Sequence, residues 1–253
     1  LVGSEMCIRD RVCYTANDTD RVSVGGGSHS GRSMRLVSIA ASKAIDALVT
    51  EGKKVAAQIL QTPETEITYA EGAFEAPGGG SVGLWEVAAA APAGLSSIGD
   101  ITNRAGGYPY GVHVCEVEVD PEIGQTEILR WTAVDDVGLA VNPLILHGQA
   151  HGAVAQGLGQ ALMEAIHYDP ESAQLLTGSF MDYAMPRAIT TPPINTIVTQ
   201  VPASSHPHGV RPGGEGGTTP ALGVVINAIV DALSDYCLLY TSDAADEGLG
   251  VDL

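Results

Sequence analysis

The hydrophobic positions of this chain follow two different periods, and each marks its own kind of element. From Ser33 to about Gln61, Leu36, Ile39, Ala40, Ile45, Leu48 and Val49 recur at roughly helical spacing, with Lys43 and Asp46 between them. Gly52 is a candidate break, beyond which Val55, Ile59 and Leu60 resume the stripe. Glu66–Tyr69 and Ala73–Glu75 are placed to pair across Glu71-Gly72 as a short hairpin. Ser81 is expected to cap a helix running to about Ala91, stopped by Pro92. After a loop-rich stretch, Gly94–Gly107, the period changes to two. Along Tyr110–Asp120, His113, Cys115, Val117 and Val119 share one face while Glu116, Glu118 and Asp120 point the other way. Pro121 to Gly124 has turn chemistry, and Gln125–Val134 returns as a second strand.

Asn142-Pro143 reads as the cap and first residue of a helix reaching about His167. Ile194–Val201 is a further strand, and Thr218 or Thr219 with Pro220 opens a last helix whose stripe is Val224, Val225, Ile229 and Leu233. Helices and strands are mixed without strict alternation, which indicates an α+β fold rather than a doubly wound sheet. No internal repeat of fixed period is visible.

Composition narrows the partners. With 253 residues and 45% hydrophobic content the chain can bury a sizeable core. A formal net charge of −18 opposes contact with nucleic-acid phosphates or anionic lipid. No apolar run approaches the ~20 residues that span a bilayer, so membrane insertion is not expected. Cys7, Cys13, Cys115 and Cys237 are scattered without a Cys-x-x-Cys pair, which suggests neither a zinc site nor a disulfide framework. A reducing, cytoplasmic setting fits that pattern.

Both ends differ from the middle. Residues 1–11 and 237–253 carry no helix or strand period and resemble translated sequencing-adapter sequence, so both are expected to be non-native. Residues 12–236 are then the domain itself, in one or two lobes, and the chain is expected to be a fragment. Setting the tail aside removes Asp243, Asp246, Glu247 and Asp252 and leaves the remainder strongly acidic.

Three glycine-rich stretches are candidates for binding an anion. Gly25–Gly31 lies directly before the long helix, where free N–H groups and the positive dipole end favour a phosphate and Arg32 can add charge-assisted bonds. The plainer alternative is a flexible turn. Gly78, Gly80 and Gly83 satisfy Gly-x-Gly-x-x-Gly, but the preceding strand is short, contains Pro77, and starts no βαβ unit. The third stretch, Gly213-Gly214-Glu215-Gly216-Gly217, sets an isolated carboxylate at a helix start. Capping is better done there by Thr218 or Thr219, so proton transfer is the sharper reading for Glu215.

Four glycines, Gly148, Gly152, Gly157 and Gly159, sit inside one helix, each at a cost of about 1 kcal/mol relative to Ala. Something must lie very close to them, either a ligand or a neighbouring helix. His147 with His151, and His206 with His208, lack the companions of a metal site, and the latter two read as surface residues.

Taken together, these stretches resemble a known family. The runs NDTD with GGGSHSGRSM, YGVHVCEVEVDPEIGQTEILRWTAVDDVGLAVNP, HGQAHGAVAQGLGQAL, LLTGSFMDYAMPRA and GVRPGGEGGTTPALGVVINAIVDAL cover nearly all of residues 15–235. In that order they are similar to the molybdopterin-binding large subunit of the xanthine dehydrogenase, aldehyde oxidase and aerobic carbon monoxide dehydrogenase family. The resemblance implies the C-terminal molybdopterin-binding domain of a molybdenum hydroxylase, with mixed sheets and long packed helices.

It implies Glu215 as catalytic base and Gln149 as a hydrogen-bonding partner of the pterin, with Gly148 beside it. Gly31, Arg32 and Ser33 fall in the small-residue loop around the pterin and its phosphate. No protein ligand to the metal is implied. The cofactor is molybdenum–molybdopterin, plain or as a cytosine dinucleotide, and electrons pass to iron–sulfur clusters and FAD on partner subunits of a hetero-oligomer. The substrate is implied to be an aldehyde or N-heterocycle. Two alternatives are a carbon monoxide dehydrogenase large subunit, whose copper-linked cysteine lies upstream in the family, and a non-catalytic cofactor-binding module. Two departures stand out. Ser30-Gly31-Arg32-Ser33 replaces a common Gly-Ser-Arg-Ser, and His206-Pro207-His208 replaces Asn-Pro-Leu, a change read as bearing on substrate choice.

Overall fold

The computed structural model describes residues 12–15, 18–22, 24–101 and 107–236. Both terminal stretches expected to be non-native lie outside the described residues. Helix α1 (Arg32–Leu60) runs unbroken through Gly52. That glycine is buried against Phe74, whose ring occupies the space a Cβ would need, so its purpose is close packing and not a break. Strands β1 (Thr68–Ala70), β2 (Ala73–Glu75) and β3 (Ser81–Gly83) form an antiparallel meander under α1. Glu71 and Gly72 both adopt left-handed φ (50° and 82°), the turn that matches the twist of a two-residue hairpin.

The expected helix start at Ser81 is displaced. Val82 pairs with Phe74 in the sheet and is buried with it, so Ser81–Gly83 are extended. Helix α2 (Leu84–Ala90) begins only after them, and the Glu86 carboxylate accepts the Gly83 N–H at 3.0 Å. Ile67, Phe74, Val82, Val87 and Ala56 close this core.

The second sheet carries the site. Strands β4 (Tyr110–Val119) and β5 (Thr126–Asp136) pair antiparallel, with a bulge at Glu116/Val117, and β6 (Ile194–Thr199) adds parallel to β5. The alternation expected along β4 is present: His113, Cys115, Val117 and Val119 are buried or half-buried, and Glu116 and Glu118 are exposed. Helix α3 (Pro143–Leu162) connects β5 to β6, with the Asn142 side chain accepting the Ile145 N–H at 3.3 Å. It stops short of His167, where the chain leaves the helix and the His167 N–H turns to Thr177 Oγ1. One parallel crossover among antiparallel pairs makes the class α+β.

Helix α4 (Thr218–Ala232) packs on α3 and β4. Trp131, Ala133, Val154, Leu158, Ala221 and Val225 form the core between sheet and helices. The glycines of α3 divide into two pairs. A Cβ on Gly157 would collide with Ala221 of α4, and one on Gly159 with Glu164 and Pro186, so helix and chain packing account for these two. Nothing lies within 4 Å of the Cβ positions at Gly148 or Gly152. No described helix is long and apolar enough to cross a membrane.

Candidate active site

Three helix beginnings border one cavity of about 500 Å³. Its walls include Ser28, His29, Gly31 and Ser33 at the start of α1, Asn142 and Ile145 at the start of α3, and Glu215 just before α4. None of these first turns has an acidic residue, and neither α1 nor α4 is capped by a side chain. The capping expected from Thr218 or Thr219 is therefore absent: Gly217 occupies the N-cap, and both threonines lie inside the first turn. Unsatisfied N–H groups and positive dipole ends around one space suit an anionic ligand.

Glycine lets the walls approach. Gly31 has φ 59°, and a Cβ there would overlap Pro212, so the α1 loop and the Glu215 loop touch without a side chain between them. A Cβ on Gly213 would press to 2.6 Å of Leu146 and 3.0 Å of Val137. Gln149 reaches from α3, and its side-chain amide donates to the Gly214 carbonyl at 3.2 Å.

The expected site residues are thus placed in two groups. Gly31, Ser33, Gln149 and Glu215 line the cavity, whereas Arg32 and Gly148 do not. The Arg32 guanidinium folds back onto the Gly26 carbonyl at 2.9 Å, and Gly148 lies on the exposed side of α3. Glu215 itself is exposed at the cavity wall, and its backbone carbonyl accepts the Thr218 N–H at 3.2 Å.

What holds the Glu215 loop is a residue pair that sequence reasoning missed. Asp136, 3% exposed at the end of β5, accepts from the N–H groups of Gly138 (3.0 Å) and Val201 (2.8 Å) and from the Thr199 hydroxyl (2.9 Å). Arg211 completes the set, Nε to Oδ1 at 3.1 Å. Burial alone would raise the Asp136 pKa, but the two N–H donors, the hydroxyl and the guanidinium together hold it below the usual carboxylate range. Arg211 also donates to the carbonyls of Val201 and Tyr108, both at 3.3 Å, and lies over the Tyr110 ring at 4.8 Å. The backbone entering the loop is bonded from Arg211 N to the Val137 carbonyl at 2.7 Å. The one signal in the sequence was an adjacent acid pair, Asp135-Asp136, closing the strand after Ala133 and Val134.

The histidines take structural places. His206 is 4% exposed, contrary to the surface position expected of it. It bonds the Arg35 carbonyl of α1 through Nε2 at 2.8 Å and accepts the His208 N–H on Nδ1 at 3.1 Å. His208 reaches Ser42 of α1 at 2.9 Å. Neither lines the cavity, so their departure from the family pattern acts as a strut to α1 and not through contact with that space. His147 Nδ1 bonds Thr196 Oγ1 at 2.6 Å. Among the described residues no group of three His, Cys, Asp or Glu is arranged to hold a metal ion. Burial, with Glu116 adding to it, pushes the Cys115 thiol up to about 11, so it stays protonated at neutral pH and offers no nucleophile.

Fold and cavity together describe a domain with an open space, walled by helix beginnings, that suits an anionic ligand. Residues 6–192 match the molybdopterin cofactor-binding domain family, and the chain belongs to it. It is similar to the 6-hydroxypseudooxynicotine dehydrogenase complex subunit gamma of Paenarthrobacter nicotinovorans, 35% identical over 93% of this chain and 31% of that protein. It is also 28% identical to the carbon monoxide dehydrogenase large chain of Hydrogenophaga pseudoflava, over 92% of this chain and 30% of that one. Among solved structures, Cu,Mo-CO dehydrogenase superposes with a TM-score of 0.75 at 28% identity, covering 87% of this chain and 29% of that one. Quinoline 2-oxidoreductase from Pseudomonas putida 86 gives 0.67 at 25% identity, over 83% and 28%. The chain spans about a third of the length of these relatives. It is large-subunit-like, and relatives with these names are subunits of multi-subunit enzymes.

Proposed function

We propose that this chain is the part of a molybdenum hydroxylase large subunit that supplies the catalytic base, Glu215, to the oxidation of an aldehyde or N-heterocycle with water-derived oxygen. The observation that carries this reading is one cavity lined together by Gly31 and Ser33, by Gln149 and by Glu215. The residues present fit the cofactor. Three helix beginnings without acidic first turns suit its phosphate, and glycine at Gly31 and Gly213 lets the loops that wall the cavity close on Pro212 and on Leu146. Gly31, Ser33 and Gln149 would hold the pterin; Arg32 orders its loop through Gly26, and Gly148 offers bare backbone. When bound, the molybdenum centre supplies a two-electron acceptor.

The chain's own residues position a proton acceptor. Glu215 sits in a loop pinned by Gln149 through Gly214 and by Asp136 through Arg211, so its carboxylate is presented to the cavity on a fixed backbone. A general base acts only within hydrogen-bond reach of the proton it takes, and fixing the loop keeps that reach. Electrons leave through iron–sulfur and FAD subunits of a cytoplasmic hetero-oligomer, with the pterin plain or as a cytosine dinucleotide. The names of the nicotine- and quinoline-oxidising relatives favour an N-heterocycle. The similarity to carbon monoxide dehydrogenases keeps that activity as the second reading.

The test is Glu215→Gln in the full-length subunit co-expressed with its partners. Molybdenum content stays, and turnover of aldehydes and N-heterocycles falls at least ~10²–10⁴-fold. Full turnover in the variant removes Glu215 as the base. Molybdenum without turnover in the wild type, on carbon monoxide as well, leaves a cofactor-binding module.

A further inference from the structure

The two edges of the β4–β6 sheet are built differently. Strand β6 has six residues, with Pro192 and Pro193 before it and Pro202 beyond its end. A short strand bracketed by prolines is one way in which natural sheets refuse a further strand. Strand β4 has ten residues with no proline and no lysine, and it pairs with β5 alone. In an antiparallel ladder, alternate residues aim their N–H and C=O groups away from the partner strand. Among the described residues, no backbone group pairs with those outward groups between Gly111 and Val119.

One half of this edge is guarded and the other is not. From the bulge at Glu116/Val117 onward, the outer face of the sheet carries Glu116, Glu118 and Glu127, with Arg130 paired to Glu116. Bulges and charges keep an edge from pairing. Before the bulge the same face is apolar. Val112 is 66% exposed and Val114 54%, and the register sets Val112 in one row with Val134 and the exposed Ile197. A bare edge and bare valines therefore coincide on one stretch, Gly111–Cys115. Left open, such a stretch is a template for aggregation. Tyr110, next to it, lies under the guanidinium of Arg211, which is paired to Asp136.

Size and charge say what covers the stretch. This chain spans about a third of the length of its relatives, so two thirds of a subunit of that size lie outside it. A second copy would instead bring another chain of charge −18, and the same three glutamates, to the junction.

We propose that β4 is extended by a strand from the part of the large subunit that lies outside this chain, pairing along Gly111–Cys115 and laying apolar side chains against Val112 and Val114. Main-chain bonds tie the two parts together, as in other cases where a segment is added to a sheet edge. The added strand passes beside Tyr110 and so abuts the Arg211–Asp136 pair that holds the Glu215 loop. This junction does not depend on Glu215 being the base.

The test uses the full-length subunit co-expressed with its partners. Val112→p-benzoylphenylalanine, a photo-cross-linking side chain, should join β4 to a peptide of the same polypeptide outside residues 12–236, with the large subunit keeping its monomer mass. A cross-link to a partner subunit, to a second large subunit, or to nothing overturns the proposal. Val114 takes the same probe if the first variant fails to assemble. Residue-resolved amide exchange on the unaltered complex gives a second measurement: with the edge paired, all five amides of Gly111–Cys115 are slowed at least ~10²-fold relative to the unfolded chain. Alternate amides exchanging freely would show an open edge and overturn it as well.

Discussion

The two halves of this molecule are held together by different physics. The second half of α1, with β1–β3 and α2, closes on Ala56, Ile67, Phe74, Val82 and Val87, a core of hydrocarbon alone. The half built on β4–β6 has a comparable apolar core but adds buried polar side chains, His113, Asp136 and His206. All three lie behind or beside the segment that leads to Glu215. Apolar burial is non-directional and tolerates a range of shapes. Hydrogen bonds and ion pairs in a low-dielectric interior specify direction, and they are costly when incomplete. The scaffold half therefore needs volume, whereas the site half needs particular atoms.

Removing Asp136 should have the largest effect. Asp136→Ala leaves the half-buried Arg211 without its carboxylate partner, a loss approaching the ~3–5 kcal/mol of a fully buried pair. It also strips acceptors from the Gly138 and Val201 N–H groups, at about 1–3 kcal/mol each where water cannot replace them. The full-length subunit should lose molybdenum and turnover even at temperatures where it remains folded. A variant that is merely less stable, with full activity when cold, would show that the pair does not hold the site. The wild type has a matching pH signature. The folded pKa of Asp136 lies below its unfolded value near 3.9, so its contribution is complete above that pH and is lost as pH falls through the lower folded value. Denaturation midpoints measured from about pH 7 down to pH 3 should therefore drop steeply only at the acid end, and Asp136→Asn should flatten that drop.

Phe74→Ala should come next, at about 3–5 kcal/mol. The loss falls on the other half. Amide exchange should rise across residues 67–87, while molybdenum content and kcat are kept below the melting range. Loss of cofactor in this variant would mean that the two halves are not independent in the way their cores suggest.

How much of this was legible in the sequence follows the same division. Helix α1, the hairpin at Glu71-Gly72 and the alternation of β4 rest on local periods and turn chemistry, and local signals survive folding. Ser81 misled because a serine before an apolar run suits a cap as well as a strand start, and Phe74 decides between them only once the chain is folded. Glu215 stands out in the sequence as an isolated acid among four glycines, and the fold sets it at the wall of the cavity. Asp136 does not: an aspartate closing a strand looks like an ordinary turn residue, and its partners Val201 and Arg211 are far along the chain. The sequence around His206 looks like a surface turn because nothing local reveals that the Arg35 carbonyl awaits it. Local readings thus recover elements and lone chemical oddities, and they miss the directional pairs that position them.

The smallest expected effect tests the glycines of α3, where the two kinds of explanation meet. Gly157 and Gly159 are accounted for by α4, Glu164 and Pro186, so alanine there should destabilise. Gly148 has open space, and alanine should gain about 1 kcal/mol of helix propensity. That gain would raise the melting temperature of the cofactor-free subunit slightly, the shift per kcal/mol falling as the chain lengthens. If bare backbone at Gly148 is kept because the cofactor comes against it, the same variant should assemble with less molybdenum despite being more stable. Unchanged molybdenum content would remove Gly148 from the binding site and leave Gln149 as the contribution of this turn of α3. A stability gain coupled to a binding loss cannot come from packing within the chain, so this pair of measurements separates a glycine kept for a ligand from one kept for a neighbouring helix.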